Sequence, residues 1–209
     1  MNTPFEKMLS ERPWILADGA TGTNLFNMGL LSGDAPELWN EQHPERIRKL
    51  YQFAVDAGSD LFLTNSFGGN ASRLKLHDQA HRAFHLSKIS AEIGRDVADK
   101  SERDIIVAGS VGPTGDIMQP VGPLSHSDAV EIFHEQAEGL KAGGADILWL
   151  ETISAPEEYR AAAEAFARAE MAWCGTMSFD TAGRTMMGLT SADMVKMVVD
   201  LGDTSPFAF

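Results

Sequence analysis

One unit occurs twice in this chain, and it restricts the fold more than any other feature. Ala57-Gly58-Ser59-Asp60 runs into Leu61-Phe62-Leu63-Thr64-Asn65, and Ala142-Gly143-Gly144-Ala145-Asp146 runs into Ile147-Leu148-Trp149-Leu150-Glu151. In each copy a helical pattern stops on glycine, an aspartate turns the chain, and an apolar run ends on a polar residue. Apolar runs with little in/out alternation are what strands buried on both faces of a parallel sheet look like. Trp14–Ala17, Ile105–Ala108 and Ala172–Met177 are further runs of this kind, and Pro206–Phe209 reads as the start of a sixth. Helical periodicity fills the gaps. His43–Ala57 puts Ile47, Leu50, Tyr51 and Ala54 on one face, Asp128–Ala142 repeats the pattern, and Ala155–Ala169 has Pro156 in its first turn.

Strands joined by helices leave two architectures, an open doubly wound sheet or a (β/α)₈ barrel. The strand ends separate them. They carry Asp18-Gly19, Asn65-Ser66, Gly112-Pro113-Thr114-Gly115-Asp116, Glu151-Thr152 and Ser178-Phe179-Asp180. A barrel gathers all of these around one mouth, whereas an open sheet concentrates its ligand groups at a single switch point. The expected fold is therefore α/β, a (β/α)₈ barrel truncated after about five to six strands. Residues 1–209 then form the N-terminal portion of a single barrel domain.

Lys and Arg number 17 against 30 Asp and Glu, a net charge of −13, which disfavours nucleic acid and anionic membrane as partners. No basic segment followed by an apolar run opens the chain, and no stretch approaches the roughly 18 apolar residues of a membrane span. The single cysteine, Cys174, excludes an intrachain disulfide. These features point to a soluble, cytoplasmic protein.

Several residues carry candidate chemistry. Asp18-Gly19-Ala20-Thr21-Gly22-Thr23 follows the first strand; its glycines permit close backbone approach and an anion nest, or simply a tight turn with Thr23 or Asn24 as helix cap. It is neither a Walker loop nor a dinucleotide fingerprint. Glu151 ends an apolar strand, where a carboxylate is costly unless it meets a cation or donors. With Asp18 it could grip an ammonium group; a salt bridge or helix cap is the plainer use. His77, His81 and His85 lie four apart, a metal-binding spacing if helical, although Lys75, Asp78, Gln79 and Arg82 around them look like a solvated face. His134-Glu135 lacks a second histidine, since position 138 is Glu138. Cys174 reads as a buried structural thiol, and Met186, Met187, Met194 and Met197 as packing or lid residues.

The order of motifs resembles a known family. Asp18 to Thr23, Thr64-Asn65-Ser66-Phe67-Gly68, Gly109 to Asp116, Glu151-Thr152, and Met177 to Asp180 with Gly183-Arg184 are similar to the homocysteine-binding barrel of cobalamin-dependent methionine synthase and betaine–homocysteine methyltransferase. The resemblance runs from about Trp14 to Phe209. It implies zinc-dependent methyl transfer to the thiol of homocysteine, giving methionine, with betaine, methylcobalamin or a sulfonium such as S-methylmethionine as donor. It also implies that Asp18 and Glu151 hold the homocysteine ammonium, and that backbone around Gly19 and Thr21 and the Thr152 hydroxyl meet its carboxylate. Trp39, Asn65, Phe67 and Gly112 fall on the pocket or donor side. Gly68 stands where the betaine enzymes carry a tyrosine. The family's zinc is held by three cysteines, one after the sixth strand and a pair after the eighth. Cys174 matches none of them, so the ligands are expected beyond Phe209.

Other classes stay open. The chain could be an inactive fragment, or a non-catalytic amino-acid-binding partner, and a homo-oligomer is compatible with either. A barrel enzyme acting on a phosphate-bearing substrate is opposed by the scarcity of basic residues near the strand ends, where only Arg184 is close.

Overall fold

The computed structural model describes residues 3–209. Four parallel strands stand side by side in chain order: β1 Leu61–Leu63, β2 Ile106–Val111, β3 Ile147–Ile153 and β4 Trp173–Met177. Single parallel bridges from Ala17 to Leu61 and from Cys174 to Ala208 add one segment on each side. The helices are α1 Pro4–Glu11, α2 Thr21–Asn27, α3 Trp39–Gln42, α4 Pro44–Asp56, α5 Ala71–Leu74, α6 Ala83–Ala98, α7 His126–Ala142, α8 Pro156–Arg168 and α9 Ser191–Asp200. The molecule is an α/β fold with helices packed on a parallel sheet.

Alternate residues along each strand serve two cores. Phe62 and Val107 face out to Ile47 and Tyr51 of α4 and to Ile93 and Val97 of α6. Leu148 and Leu150 face Phe133 of α7 and Tyr159 and Phe166 of α8. Leu61, Ile106, Ala108, Ile147 and Cys174 face the other way, and α1 closes that side with Phe5 and Met8. A capping box between Thr3 and Glu6 starts α1.

The repeated unit has one physical cause. The Asp60 backbone N–H donates to the Leu16 carbonyl at 2.7 Å, and its carboxylate accepts the Leu16 N–H at 3.0 Å. Asp146 makes the same two bonds to Val107, at 2.8 Å each. Each aspartate thus clamps the start of its strand to the preceding one, and Arg12 and Arg95 balance the two charges at 2.9 Å. The glycines before them, Gly58 and Gly144, are left-handed at φ +96° and +92°, which a side chain would oppose. The helix end alone recurs after α8, without the aspartate, since Ala172 stands in its place: Glu170 occupies the glycine position at φ +53°.

Three expectations change. Trp14–Ala17 and Pro206–Phe209 pair only through Ala17 and Ala208; Trp14 stays 61% exposed, and the first segment is held mainly through Leu16. β2 and β3 each run three residues past the apolar runs that mark them, through Ser110 and Glu151, which share a hydrogen bond. His77, His81 and His85 do not share a helix. Asp78 is left-handed at φ +58° and separates two 3₁₀ turns, and His85 bonds Glu41. Among the described residues no three His, Cys, Asp or Glu side chains cluster to hold a metal.

Glu170→Gly should stabilise the protein by about 0.5–1 kcal/mol, since glycine removes the left-handed strain. Urea unfolding measures this, and an unchanged or lower midpoint would contradict the repeated helix-end geometry.

Candidate active site

The inward sides of β1, β2 and β3 deliver residues at or near their ends to one mouth. Leu63 ends β1, Ser110 lies near the end of β2 and Glu151 near the end of β3, and all three line a cavity of about 620 Å³ together with the Gly19–Thr23 turn. Glu37, Asn65, Phe67, Gly68, Arg73 and His77 complete its wall. A hollow of about 690 Å³ at the opposite end of the strands is larger, but its cations are already used. Arg12 and Arg103 face Asp60, Arg95 faces Asp146, and Lys7 faces Asp104.

Two carboxylates stand near each other at the mouth without a cation: Glu151 lines the cavity, and Asp18 lies directly behind the Gly19 turn, within the field of Glu151. The Asp18 carboxylate accepts the Leu63 N–H at 3.0 Å, and Glu151 accepts the Ser110 hydroxyl at 2.5 Å. Burial pushes the Asp18 carboxyl up to about 6, the Leu63 N–H opposes this, and the nearby Glu151 charge adds to it. Burial likewise raises Glu151, against the Ser110 bond. Among the described residues neither carboxylate forms an ion pair, so Glu151 is neither the salt bridge nor the helix cap that its position first allowed; Ala155 caps α8. A pair of desolvated like charges favours a ligand that brings a positive charge.

Ser110 is held from every side. Its N–H donates to Thr64 Oγ1 at 3.0 Å, and its carbonyl accepts from Ser66 Oγ at 2.7 Å. Gln136 of α7 donates to the Ser66 carbonyl at 2.6 Å. Beside Glu151, the chain bulges between Leu150 and Ile153, and Thr152 sits at φ +65°. A β-branched residue there is strained, and strain of this kind tends to collect at functional sites.

The other candidate residues divide. Gly19, Thr21, Asn65 and Phe67 line the cavity; Trp39, Gly112 and Thr152 do not. Trp39 is buried under the Arg46 guanidinium, 4.7 Å from its ring centroid, with the His43 ring edge-on at 5.0 Å. Its ring therefore belongs to the core. Gly112 supports Phe67 instead of facing ligand: its N–H donates to the Phe67 carbonyl, and a Cβ there would lie 2.6 Å from the ring. Thr152 is exposed. Asn65 turns its amide to the Pro36 carbonyl and Asn40, which carries Glu37 to the cavity. α2 begins at Thr21 with Ala20 as cap, so neither Thr23 nor Asn24 caps it. Arg184 is exposed and donates to the Gly188 carbonyl.

Sequence reasoning missed Ser110, Glu37 and Arg73 as cavity residues. Ser110 had a signal, lying two residues beyond the inward Ala108. Glu37 and Arg73 had none, because contacts distant in sequence place them.

Comparison with known proteins identifies the family. The family model described as homocysteine S-methyltransferase matches residues 15–209. The chain is 33% identical over 160 residues to a methionine synthase of Mycobacterium tuberculosis, covering 72% of this chain and 13% of that protein. It is 29% identical over 178 residues to the homocysteine S-methyltransferase YbgG of Bacillus subtilis, covering 76% and 56%. The chain thus spans only part of the length of either relative. The crystal structure of the homocysteine methyltransferase MmuM from Escherichia coli, metallated form, superimposes with a TM-score of 0.81 at 23% identity, over 97% of this chain and 75% of that one. Its likeness speaks for the fold. The family match over nearly all of the chain places this protein in the homocysteine S-methyltransferase family.

Proposed function

We propose that the chain is the amino-acid-holding part of an enzyme that transfers a methyl group to the thiol of homocysteine, giving methionine. The uncompensated pair Asp18 and Glu151 at the cavity mouth carries this reading. An α-amino acid presents an ammonium group that two carboxylates can grip, while N–H groups of the Gly19–Thr21 backbone lie at the same wall for its carboxylate. The six parallel segments are assigned to a single (β/α)₈ barrel, in keeping with their chain order and with the coverage of the MmuM structure.

In the transfer the homocysteine thiol gives up its proton to solvent, a sulfur–methyl bond forms as the bond from the methyl to the donor's heteroatom or metal breaks, and that bond's electron pair leaves with the donor. Candidate donors are betaine, methylcobalamin and a sulfonium such as S-methylmethionine. This chain's contribution is positioning: the ammonium is fixed, so the sulfur reaches the donor in one orientation. The zinc that the family resemblance implies does not fit the residues described. No three-ligand cluster exists among them, and Cys174 is buried in β4 with its thiol pushed up to about 12. No step is therefore routed through a metal. A second reading, amino-acid binding without catalysis, uses the same grip. Methionine formation from homocysteine with each donor, with and without added zinc, separates the two readings.

Asp18→Asn and Glu151→Gln should each weaken homocysteine or methionine binding by about 1–3 kcal/mol, roughly ten- to hundredfold, as a charged hydrogen bond is lost. Calorimetric titration measures this, and wild-type affinity in both variants removes the substrate assignment.

Binding should also weaken as pH falls below about 6, where Asp18 takes up a proton while the ligand ammonium keeps its own. A flat affinity between pH 8 and pH 5 would mean that the Asp18 charge is not used.

The same group makes stability pH-dependent. Its folded value of about 6 lies above an unfolded value near 3.9, so the folded state binds the proton more tightly, and stability falls as pH rises through that window. Asp18→Asn should therefore be more stable than wild type at pH 8, by on the order of 1 kcal/mol once partial exposure is discounted, and equal to it near pH 4. Thermal melts at the two pH values decide; a variant less stable at pH 8 would show that the carboxylate is not destabilising.

A further inference from the structure

Arg73 is the half-buried arginine that the fold leaves unpaired. Among the described residues it faces no carboxylate within 4 Å and donates no side-chain hydrogen bond, whereas every other arginine is ion-paired or exposed. Its backbone is firmly placed. Asn70 caps α5 by accepting the Arg73 N–H at 3.0 Å, and the same amide reaches the carbonyls of Gly112 and Pro113. The guanidinium lies beside Gly115, where a Cβ would come within 2.9 Å of Nη1, and it lines the cavity. In a chain of net charge −13, such a cation beside a cavity stands ready for an anionic partner that the described residues do not supply.

The cavity wall shows which ligand that cation serves. The field of Arg73 reaches Glu37, a wall carboxylate only 4% exposed whose one hydrogen bond comes from the Gly68 N–H at 2.7 Å. Its guanidinium lies more than 4 Å from the carboxylates of Asp18 and Glu151. An α-amino acid carries its ammonium and carboxylate on one carbon, so an amino acid gripped by Asp18 and Glu151 keeps its carboxylate near them. Arg73 is left for the second substrate. The wall around it, with Glu37, Phe67 and His77, offers an acidic and an aromatic face beside the cation.

We propose that Arg73 is the specificity-determining residue for the methyl donor, holding a carboxylate of that donor in a forked ion pair. The inference rests on the reading of Asp18 and Glu151 as the amino-acid grip. A small ammonium or sulfonium carboxylate and a methylfolate both present the required group; a methyl carrier without a carboxylate does not.

Titration calorimetry on the full chain saturated with methionine tests it without turnover. The probes are N,N-dimethylglycine, its carboxylate-free counterpart dimethylaminoethanol, and 5-methyltetrahydrofolate. Dimethylglycine should bind wild type at least tenfold tighter than dimethylaminoethanol. Arg73→Gln should erase that difference, Arg73→Lys should restore part of it, and methionine affinity should stay within twofold in both. If the Arg73 dependence appears with the folate and not with dimethylglycine, the carboxylate is the folate's, and the role of Arg73 stands. Equal binding of every probe to wild type and Arg73→Gln overturns the proposal, as does no probe binding at all. A parallel loss of methionine affinity overturns it too, because Arg73 would then belong to the amino acid. Failure of the underlying reading looks different: methionine affinity would be indifferent to Asp18→Asn.

Discussion

The clamps made by Asp60 and Asp146 fix the register on which the site depends. Each binds the preceding strand through its own N–H and through its carboxylate, so the two strands cannot slide past one another without losing both bonds. Side chains alternate along a strand, and a slip of one residue would turn every one of them to the other face. Glu151 would then meet the apolar packing of α7 and α8, and Leu150 would point into the mouth. A polar bond at the entry of the strands thus decides which residues do chemistry at their exit.

At that exit the protein carries a local instability. Asp18, Glu151, Glu37 and Glu158 are all desolvated carboxylates with raised affinity for protons. They are treated differently. Glu158 accepts both the N–H and the hydroxyl of Thr114, at 2.7 and 2.6 Å, and so ties α8 to the loop after β2. Asp18 and Glu151 have one side-chain hydrogen bond each and share a field that neither relieves. The first arrangement is structural, since its polar groups are matched. The second is complete only with a cation present, which makes it a binding device rather than a support.

How far the sequence revealed this depended on where the information lay. Asp18 and Glu151 were legible because a carboxylate ending an apolar run is anomalous in its own neighbourhood. The repeat was legible in two copies through Gly58 and Gly144, whereas the helix end after α8 was masked by Glu170 taking the glycine conformation. Four-residue spacing suggested a histidine face, but spacing holds only while the helix does, and Asp78 breaks it. Trp39 was expected on the pocket or donor side; α3 instead turns its ring onto Arg46 and His43. Glu37 and Arg73 were invisible because their positions come from contacts distant in sequence. Asn65 holds the segment that carries Glu37, and Asn70 bridges from Arg73 to the loop after β2. Local pattern carries no trace of such contacts.

The two kinds of charge in the cavity sit on different kinds of scaffold, and that separation has a consequence. The carboxylate pair stands at the ends of strands whose register is clamped, so it suits the group that every turnover shares. Arg73 and Glu37 stand on short elements in the loops flanking the first strand pair, where sequence can vary at little cost to the core. They are nevertheless coupled to their surroundings. The Glu37 carboxylate fills the space beside Gly68, where a Cβ would lie 3.0 Å from Oε1, while Gly115 leaves the space that the Arg73 guanidinium uses. A side chain at position 68 thus requires Glu37 to move or shrink, and one at position 115 displaces Arg73. A chain of this fold can change this wall of the cavity by altering these pairs together, while the strand ends that carry Asp18 and Glu151 stay as they are.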